Sequence, residues 1–161
     1  MTGQRLDRIL TAWRIGDQNG AYPIYDATGS TFAPGRWNDA RSPVIYAAEH
    51  YATALLEKLV HGSGQLPPNQ HALRISFPPG TSYEVVTKDT LPGWDAFPPS
   101  ESVAFGAAWV RERRSAILLV PSVVAREERN VVINPFHPDA ARIECSLHEP
   151  VHWDRRLFQS R

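Results

Sequence analysis

The segment that decides the fold is GRWNDARSPVIYAAEHYATALLE, residues 35–57. It passes from a glycine-led loop through a short apolar run into an amphipathic stretch, which predicts a loop, a strand and a helix in succession. Arg36, Tyr46 and Glu57 follow one another at intervals of ten and eleven residues, one in each setting. Polar side chains presented by three adjoining elements can line a pocket, so we take these three as candidate site residues.

The helix of this segment is predicted from about Glu49 to His61, where a Gly-Ser-Gly sequence ends it. Its apolar residues recur at the spacing of one helical face, which we expect to pack inward: Ala52, Leu55, Leu56, Leu59 and Val60. At about 100° per residue, Glu57 lies off that stripe beside Thr53 and points to solvent or to a cleft. On this pattern alone, a solvated glutamate next to Lys58 is the commoner outcome.

The whole chain predicts an α+β domain with two helices and about six or seven short strands. Strands are predicted at 13–15, 44–47, 71–77, 82–87, 116–120 and 131–133, with a closing strand pair at 142–144 and 151–158. The run 116–120 is continuously apolar and is the candidate central strand. The second helix is predicted from Ser100 to about Arg113. Near the N-terminus, spacings of three and four between Leu6 and Trp13 favour a short amphipathic helix or an irregular element.

A long loop is predicted at residues 16–34, which are rich in Gly, Asp, Asn, Pro, Thr and Ser with isolated aromatic residues. A loop of this length in a small domain is more often functional than idle. We therefore expect a lid or a wall of the site, with a surface excursion held by its tyrosines as the alternative.

Two further polar residues occupy strand positions that can reach a ligand. Arg14 alternates with Trp13 and Ile15, so on spacing alone it is an exposed strand residue. Ser122 lies at or just beyond the end of the strand 116–120, where sheet proteins often contact ligands. A buried or turn-forming serine is the commoner outcome at such a position.

Composition excludes several classes of protein. With 161 residues, the chain fits one domain spanning 1–161. Seventeen basic and seventeen acidic side chains argue against binding nucleic acid alone. The one cysteine, Cys145, lacks the companions of a disulfide or a zinc site, so we expect no metal and a reducing compartment. With no signal-peptide pattern and no apolar run near about 18 residues, we expect a soluble cytoplasmic protein without membrane contact.

Known catalytic signatures are also missing from the sequence. It contains no nucleophile elbow, no glycine-rich phosphate loop and no Cys/His pair, so hydrolysis through a covalent intermediate is not supported.

Five short motifs occur in order along the chain. They are Trp13-Arg14-Ile15; Gly35-Arg36-Trp37-Asn38; Val44-Ile45-Tyr46-Ala47-Ala48 with Leu55-Leu56-Glu57; Val120-Pro121-Ser122; and Asn130 with Ile133-Asn134-Pro135 and His137-Pro138. In this order and spacing they resemble the RES domain family, and the resemblance covers nearly the whole chain. The family takes its name from an arginine, a glutamate and a serine. Here these would be Arg14 or Arg36, Glu57 and Ser122.

The resemblance implies a toxin of a bacterial toxin–antitoxin pair, with mixed or antiparallel sheets, a few helices and a fold similar to ADP-ribosyltransferases. Members of the family deplete NAD+ by hydrolysis or phosphorolysis, and some transfer ADP-ribose to a protein. NAD+ would be the substrate, with no cofactor and no metal required. The implied partner is an Xre-like helix-turn-helix antitoxin that covers the active site.

The resemblance also implies roles for individual residues. The implied catalytic residues are Glu57, Tyr46 and Arg36, and the implied NAD+-binding residues are Arg14, Arg36, Tyr46, Ser122 and Asn134. Glu57 would stabilise the oxocarbenium-like ribose, and Tyr46 would stack on the cationic nicotinamide ring. Arg36 or Arg14 would bind the diphosphate through a bidentate fork. Ser122 would bond a ribose or phosphate oxygen, with Asn134 shaping the same wall.

Two alternative functions remain open at the level of sequence. One is an ADP-ribosyltransferase that modifies a specific host protein from the same pocket. The other is a catalytically silent binding module that acts with its antitoxin. The sequence also leaves open whether water, phosphate or a protein side chain accepts the ADP-ribose.

Overall fold

A mixed sheet of nine strands carries the fold in the computed structural model, which describes residues 3–158. The strands are β1 (Gln4–Arg5), β2 (Leu10–Asp17), β3 (Ile45–Ala48), β4 (Gln70–Phe77), β5 (Ser82–Val85), β6 (Ile117–Pro121), β7 (Arg129–Ile133), β8 (Glu144–Cys145) and β9 (Glu149–Pro150). Their order across the sheet is β1-β5-β6-β7-β3-β2-β4-β8, and β9 also pairs with β4. Only β5 and β6 run parallel within this part of the chain.

Residues 3–158 also contain three α-helices and two 3-10 helices. The α-helices are α1 (Gly29–Phe32), α2 (Tyr51–His61) and α3 (Ser100–Arg111), and the 3-10 helices are Pro138–Arg142 and Arg155–Phe158. Helices α2 and α3 confirm the two predicted helices to within two residues at each end. No helix in this range is long and apolar enough to cross a membrane.

The predicted central strand is confirmed as β6, which is buried at every position. Its side chains alternate between two cores, with Ile117 and Leu119 on one face and Leu118 and Val120 on the other. A strand covered on both faces needs apolar residues throughout, which is why this run does not alternate with polar residues. Antiparallel pairing with β7 brings the residues after β6 beside the start of β7.

Helix α2 packs on the sheet through small residues, and the predicted apolar stripe is therefore wrong in part. Ala54 packs in a cluster with Ile15, Ala48 and Ala72. Leu56 and Val60, which the stripe placed inward, are 37% and 53% exposed. A small side chain at the contact lets the helix axis come close to the sheet, and this rotates the larger residues outward.

Two predictions at the chain ends are wrong. Of the two forms predicted near the N-terminus, the helix is wrong: residues 6–9 are irregular, and from Leu10 the chain forms β2, which pairs with β4 from Leu10↔Phe77 to Asp17↔Gln70. The continuous ladder with β4 outweighs a helical spacing that extends over only eight residues. In the tail, β8 and β9 both pair with β4 and not with each other.

Candidate active site

Glu57 is held at one oxygen by two side chains that flank the β6–β7 connection. Its Oε1 accepts a hydrogen bond from Ser122 Oγ at 2.7 Å and another from Asn130 Nδ2 at 2.8 Å. Hydrogen bonds to an ionised acceptor are roughly twice as strong as neutral ones. The second oxygen, Oε2, has no hydrogen-bond partner within residues 3–158, so the carboxylate is oriented and still has an acceptor for a ligand.

Ser122 is fully buried, and its hydroxyl group is used within the protein. Besides donating to Glu57, Oγ accepts a hydrogen bond from the amide of Ala125 at 3.0 Å. The amide of Ser122 in turn donates to the carbonyl of Glu128 at 2.9 Å. Ser122 therefore orients Glu57 in this structure, and the direct contact with a ribose or phosphate oxygen that the family resemblance implies stays a prediction.

Asn130 is a candidate site residue that belongs to one of the five sequence motifs but had no predicted role. It pairs across the sheet with Val120 and Ala48, which brings its amide beside Ser122 and under α2. Its Oδ1 is buried without a hydrogen-bond partner in residues 3–158. If the predicted strands 116–120 and 131–133 are paired as a hairpin, Asn130 falls next to Ser122. The sequence therefore contained a pattern from which this neighbour of Ser122 could have been predicted.

A second contact fixes the rotation of α2. Thr53, one turn before Glu57, donates to Glu128 Oε1 at 2.6 Å, and His50 Nδ1 lies 2.8 Å from the same oxygen. Hydrogen bonds from Thr53 and His50 lower the pKa of the Glu128 carboxyl group. Thr53 and Glu57 thus both bond to the segment between β6 and β7, and α2 cannot rotate without breaking both contacts.

Tyr46 anchors the loop that carries Arg36. Its hydroxyl donates to Asn38 Oδ1 at 2.7 Å and accepts from the Trp37 amide at 2.9 Å. A Cβ atom on Gly35 would lie 2.7 Å from the Tyr46 ring, so the loop approaches this closely only because residue 35 is glycine. Burial raises the pKa of the Tyr46 hydroxyl.

Arg36 extends from this loop with part of its guanidinium group unused. Its Nη1 donates to the carbonyls of Trp94 at 3.0 Å and Ala96 at 2.8 Å. No carboxylate within residues 3–158 forms a salt bridge with it, and Nε and Nη2 have no hydrogen-bond partner there. These two nitrogens form the edge of a guanidinium that binds a phosphate or carboxylate in bidentate fashion.

The side chain of Arg14 lies where β2 and β3 separate, since these two strands share only the pair Trp13↔Ala48. Its Nη1 donates to the Tyr46 carbonyl at 2.8 Å, and its Nε donates to the carbonyl of Ile24. Burial lowers the pKa of Arg14, against an opposing effect of Asp26. The expectation of an exposed strand residue is therefore wrong, because the side chain folds back to satisfy carbonyls that no strand reaches.

A cavity of about 240 Å³ lies beside Arg14. It is lined by the end of β2, by residues of the loop 20–29 and by Lys58 of α2. Burial lowers the pKa of Lys58, and the nearby charge of Arg14 acts in the same direction. Part of the predicted long loop thus forms the wall of a cavity, although Glu57 itself does not line it.

Comparison with known proteins assigns the chain to a family. A family model described as "RES domain" matches residues 11–154. The chain belongs to the RES domain family. Among RES relatives, the "Prs ADP-ribosylating toxin" of Sphingobium sp. (strain YBL2) is 40% identical over 154 residues, covering 91% of this chain and 96% of the relative. A "Toxin Res" of Pseudomonas putida is 34% identical over 154 residues, covering 92% and 100% respectively.

The RES fold is also found in a solved structure. A chain of the M. tuberculosis MbcT-MbcA toxin-antitoxin complex superposes with a TM-score of 0.69 at 15% identity, covering 90% of this chain and 85% of that chain. At this identity the likeness concerns the fold alone. It agrees with the α+β class that the sequence predicts.

Within this RES domain, the structure groups some of the predicted site residues and separates others. Glu57 and Ser122 are in direct contact, and Tyr46 links the Arg36 loop to Arg14. Asn134 lies at the opposite end of β7 from Asn130. It is fully buried, and its side chain bonds the carbonyl of Val110 and the amide of Phe136. Asn134 therefore joins a turn to α3 and shares no wall with Glu57.

Proposed function

We propose that the protein is a toxin that consumes NAD+ by cleaving the bond between nicotinamide and ribose. The observation that carries this proposal is the Glu57 carboxylate, held at Oε1 by Ser122 and Asn130 and available at Oε2. The names of the two relatives support it, since both are toxins and one of the two is an ADP-ribosylating toxin. ADP-ribosylation begins with cleavage of this same bond.

Glu57 would act on the charge that develops during cleavage. The C–N bond breaks with its electron pair leaving on nicotinamide, which becomes neutral, while positive charge builds on the ribose ring. A carboxylate held near the ribose stabilises that charge and can accept a hydrogen bond from a ribose hydroxyl. Because the carboxylate is oriented before the substrate binds, no reorganisation is needed during the reaction.

Arg36 is the residue that we propose for the diphosphate. Its Nε and Nη2 form an unused bidentate edge, whereas Arg14 spends two nitrogens on carbonyls of the chain and retains only Nη2. Two parallel hydrogen bonds to one phosphate bind more strongly and more specifically than one. Arg14 would make a single additional contact.

Tyr46 is proposed to act by positioning Arg36, because its hydroxyl bonds the loop at Asn38 and at Trp37. The role implied by the family resemblance, stacking of its ring on nicotinamide, is the alternative. Positioning of the loop needs the hydroxyl group, whereas stacking needs only the ring, so a Phe substitution separates the two roles.

A second candidate function is transfer of ADP-ribose to a host protein. It is favoured by the relative at 40% identity, which is named an ADP-ribosylating toxin. The same cleavage serves both reactions, and only the acceptor differs. We further propose an antitoxin partner of the Xre-like type and action in the cytoplasm; the similarity to a chain of a toxin-antitoxin complex supports the partner.

The test is to incubate the purified protein with NAD+, with and without phosphate, and to measure nicotinamide release by chromatography. Glu57→Gln is the test variant, and Glu101→Gln on exposed α3 surface is its matched control. We expect a loss of about 100-fold or more for Glu57→Gln and none for Glu101→Gln. If the parent releases no nicotinamide, or if Glu57→Gln matches it, the proposed function is wrong.

A further inference from the structure

Two exposed aromatic rings lie parallel to each other on the loop before Arg36. The Tyr22 and Phe32 rings are 6.3 Å apart between centroids, with 5° between their planes. Tyr22 is 41% exposed and Phe32 is 76% exposed. Phe is a residue that folding normally buries, and a parallel pair open to solvent is a platform on which a planar ring can stack.

The platform adjoins the cavity beside Arg14. Tyr22 lines that cavity, and so does Gly29, the first residue of the short helix that ends in Phe32. The cavity and the ring pair therefore share one wall, and a single ligand can contact both the cavity and the rings.

The cavity presents two cations, Arg14 and Lys58, that form no salt bridge with the described residues, although the charges of Asp26 and Asp17 act on them. Within residues 3–158, Lys58 forms no salt bridge, and Nη2 of Arg14 has no hydrogen-bond partner. Asp17 and Asp26 also line the cavity, and one oxygen of each accepts a backbone amide. Cationic nitrogens suit phosphate oxygens, and carboxylate oxygens suit the hydroxyl groups of a sugar.

The size of the cavity limits what it can hold. Sites that enclose a whole small-molecule ligand measure about 300–1,000 Å³, whereas this cavity measures about 240 Å³. The cavity is also open to solvent, so a nucleotide that enters it leaves part of itself outside. The sugar and phosphate suit the charged side chains that line the cavity, and a flat base is left for the rings outside.

We infer that Tyr22 and Phe32 bind a purine base, with its sugar and phosphate in the adjoining cavity at Arg14 and Lys58. This inference rests on the proposed function for the identity of the ligand, which is then the adenylate half of NAD+. The base would stack on the exposed ring of Phe32, since every base has a flat face that an aromatic side chain can cover.

The first experiment compares two substrates. Nicotinamide mononucleotide carries the same scissile bond as NAD+ and lacks the adenylate half. Phe32→Ala should raise KM for NAD+ about tenfold, with kcat unchanged and with both constants for the mononucleotide unchanged. The matched control is Phe136→Ala, which truncates a phenylalanine 55% exposed beyond β7. An unchanged KM for NAD+, or an equal rise for both substrates, overturns the inference.

The second experiment needs no catalysis. Calorimetry on the purified parent and on Phe32→Ala measures the binding of AMP and of ribose 5-phosphate. The parent should bind AMP more tightly, and Phe32→Ala should remove most of that difference. A parent that binds both alike overturns the inference even where nicotinamide release is intact, whereas preferential AMP binding without nicotinamide release refutes only the proposed function. If Phe32→Ala weakens binding of the antitoxin and leaves AMP binding unchanged, the rings are a protein-docking surface and the inference is wrong.

Discussion

Ser122 donates its hydroxyl hydrogen to the carboxylate of Glu57 at 2.7 Å, although 65 positions separate them in the chain. The serine follows the central strand β6 and the glutamate belongs to α2, so the bond joins the most buried strand to the helix that carries the candidate catalytic group. The orientation of Glu57 thus depends on how α2 docks against the end of β6, and not on the local sequence of either element.

Ser122→Ala should lower kcat/KM for NAD+ cleavage by about 10–100-fold, because a hydrogen bond to a charged group contributes about 1.5–3 kcal/mol. The amide of Ala125 also loses its acceptor, so the free energy of unfolding should fall. Steady-state kinetics and urea unfolding measure the two effects. Unchanged kinetics in a folded variant would show that the serine does not orient Glu57.

Asn130→Asp should be more damaging than Asn130→Ala. The alanine variant removes one of the two donors to Glu57 Oε1, whereas the aspartate variant sets a second carboxylate in place of an amide that is 2.8 Å from that oxygen. Like charges at that distance repel strongly in a half-buried site. Nicotinamide release by both variants at pH 7 is the measurement, and equal rates would count against the contact.

Tyr46→Phe separates the two roles proposed for this tyrosine. It keeps the ring and removes the hydroxyl that bonds Asn38 and Trp37. If the hydroxyl positions Arg36, KM for NAD+ should rise, and the free energy of unfolding should fall by about 1–2 kcal/mol. Retention of the parent's KM would favour stacking of the ring on nicotinamide.

Gly106→Ala should displace the Arg36 loop from α3. A Cβ atom on Gly106 would lie 1.8 Å from the carbonyl oxygen of Trp37, which is backbone and cannot rotate away. We expect a large fall in melting temperature together with loss of activity. Gly3→Ala is the control, since its Cβ would meet one atom at 4.0 Å. Normal stability of Gly106→Ala would contradict the packing described for the loop.

Lys58→Met should stabilise the protein and weaken nucleotide binding. Burial, with the charge of Arg14, lowers the pKa of Lys58 below its usual 10.5, so the folded state holds this proton less readily than the unfolded state. The cost of burying the charged Lys58 destabilises the folded parent fully at pH values below the lowered pKa. This cost disappears as the pH rises from the lowered pKa to 10.5, so the parent gains stability between these two pH values. Lys58→Met should lack this gain and be more stable at pH 7. Urea unfolding at pH 7 and 10 is the measurement, with the exposed Lys88→Met as control.

The sequence predicted most strands because their patterns are strong. The apolar run of β6 and the alternation of Leu73, Ile75 and Phe77 in β4 leave few other possibilities. The two-residue strands β8 and β9 are too short to carry any pattern, and their pairing with β4 depends on the tertiary structure.

The site was less predictable because hydrophobic periodicity does not describe how a helix docks. The position of Glu57 off the apolar stripe was predicted, yet α2 faces the sheet with Ala54 and bonds through Thr53, which periodicity does not favour. Asn130 carries no charge and has a role only through the pairing of β7 with its neighbours. The unused edge of Arg36 likewise depends on carbonyls nearly sixty positions away.

The single residue pair between β2 and β3 divides the sheet into two panels, β1-β5-β6-β7-β3 and β2-β4 with β8 and β9. Along the seam, the guanidinium of Arg14 takes the place of a backbone ladder. Apolar residues of both panels pack in the same buried clusters, so this shared core and the bonds of Arg14 together hold the panels at their relative angle. A phosphate bound by Arg14 would therefore contact the side chain that joins the two panels where the backbone ladder is missing.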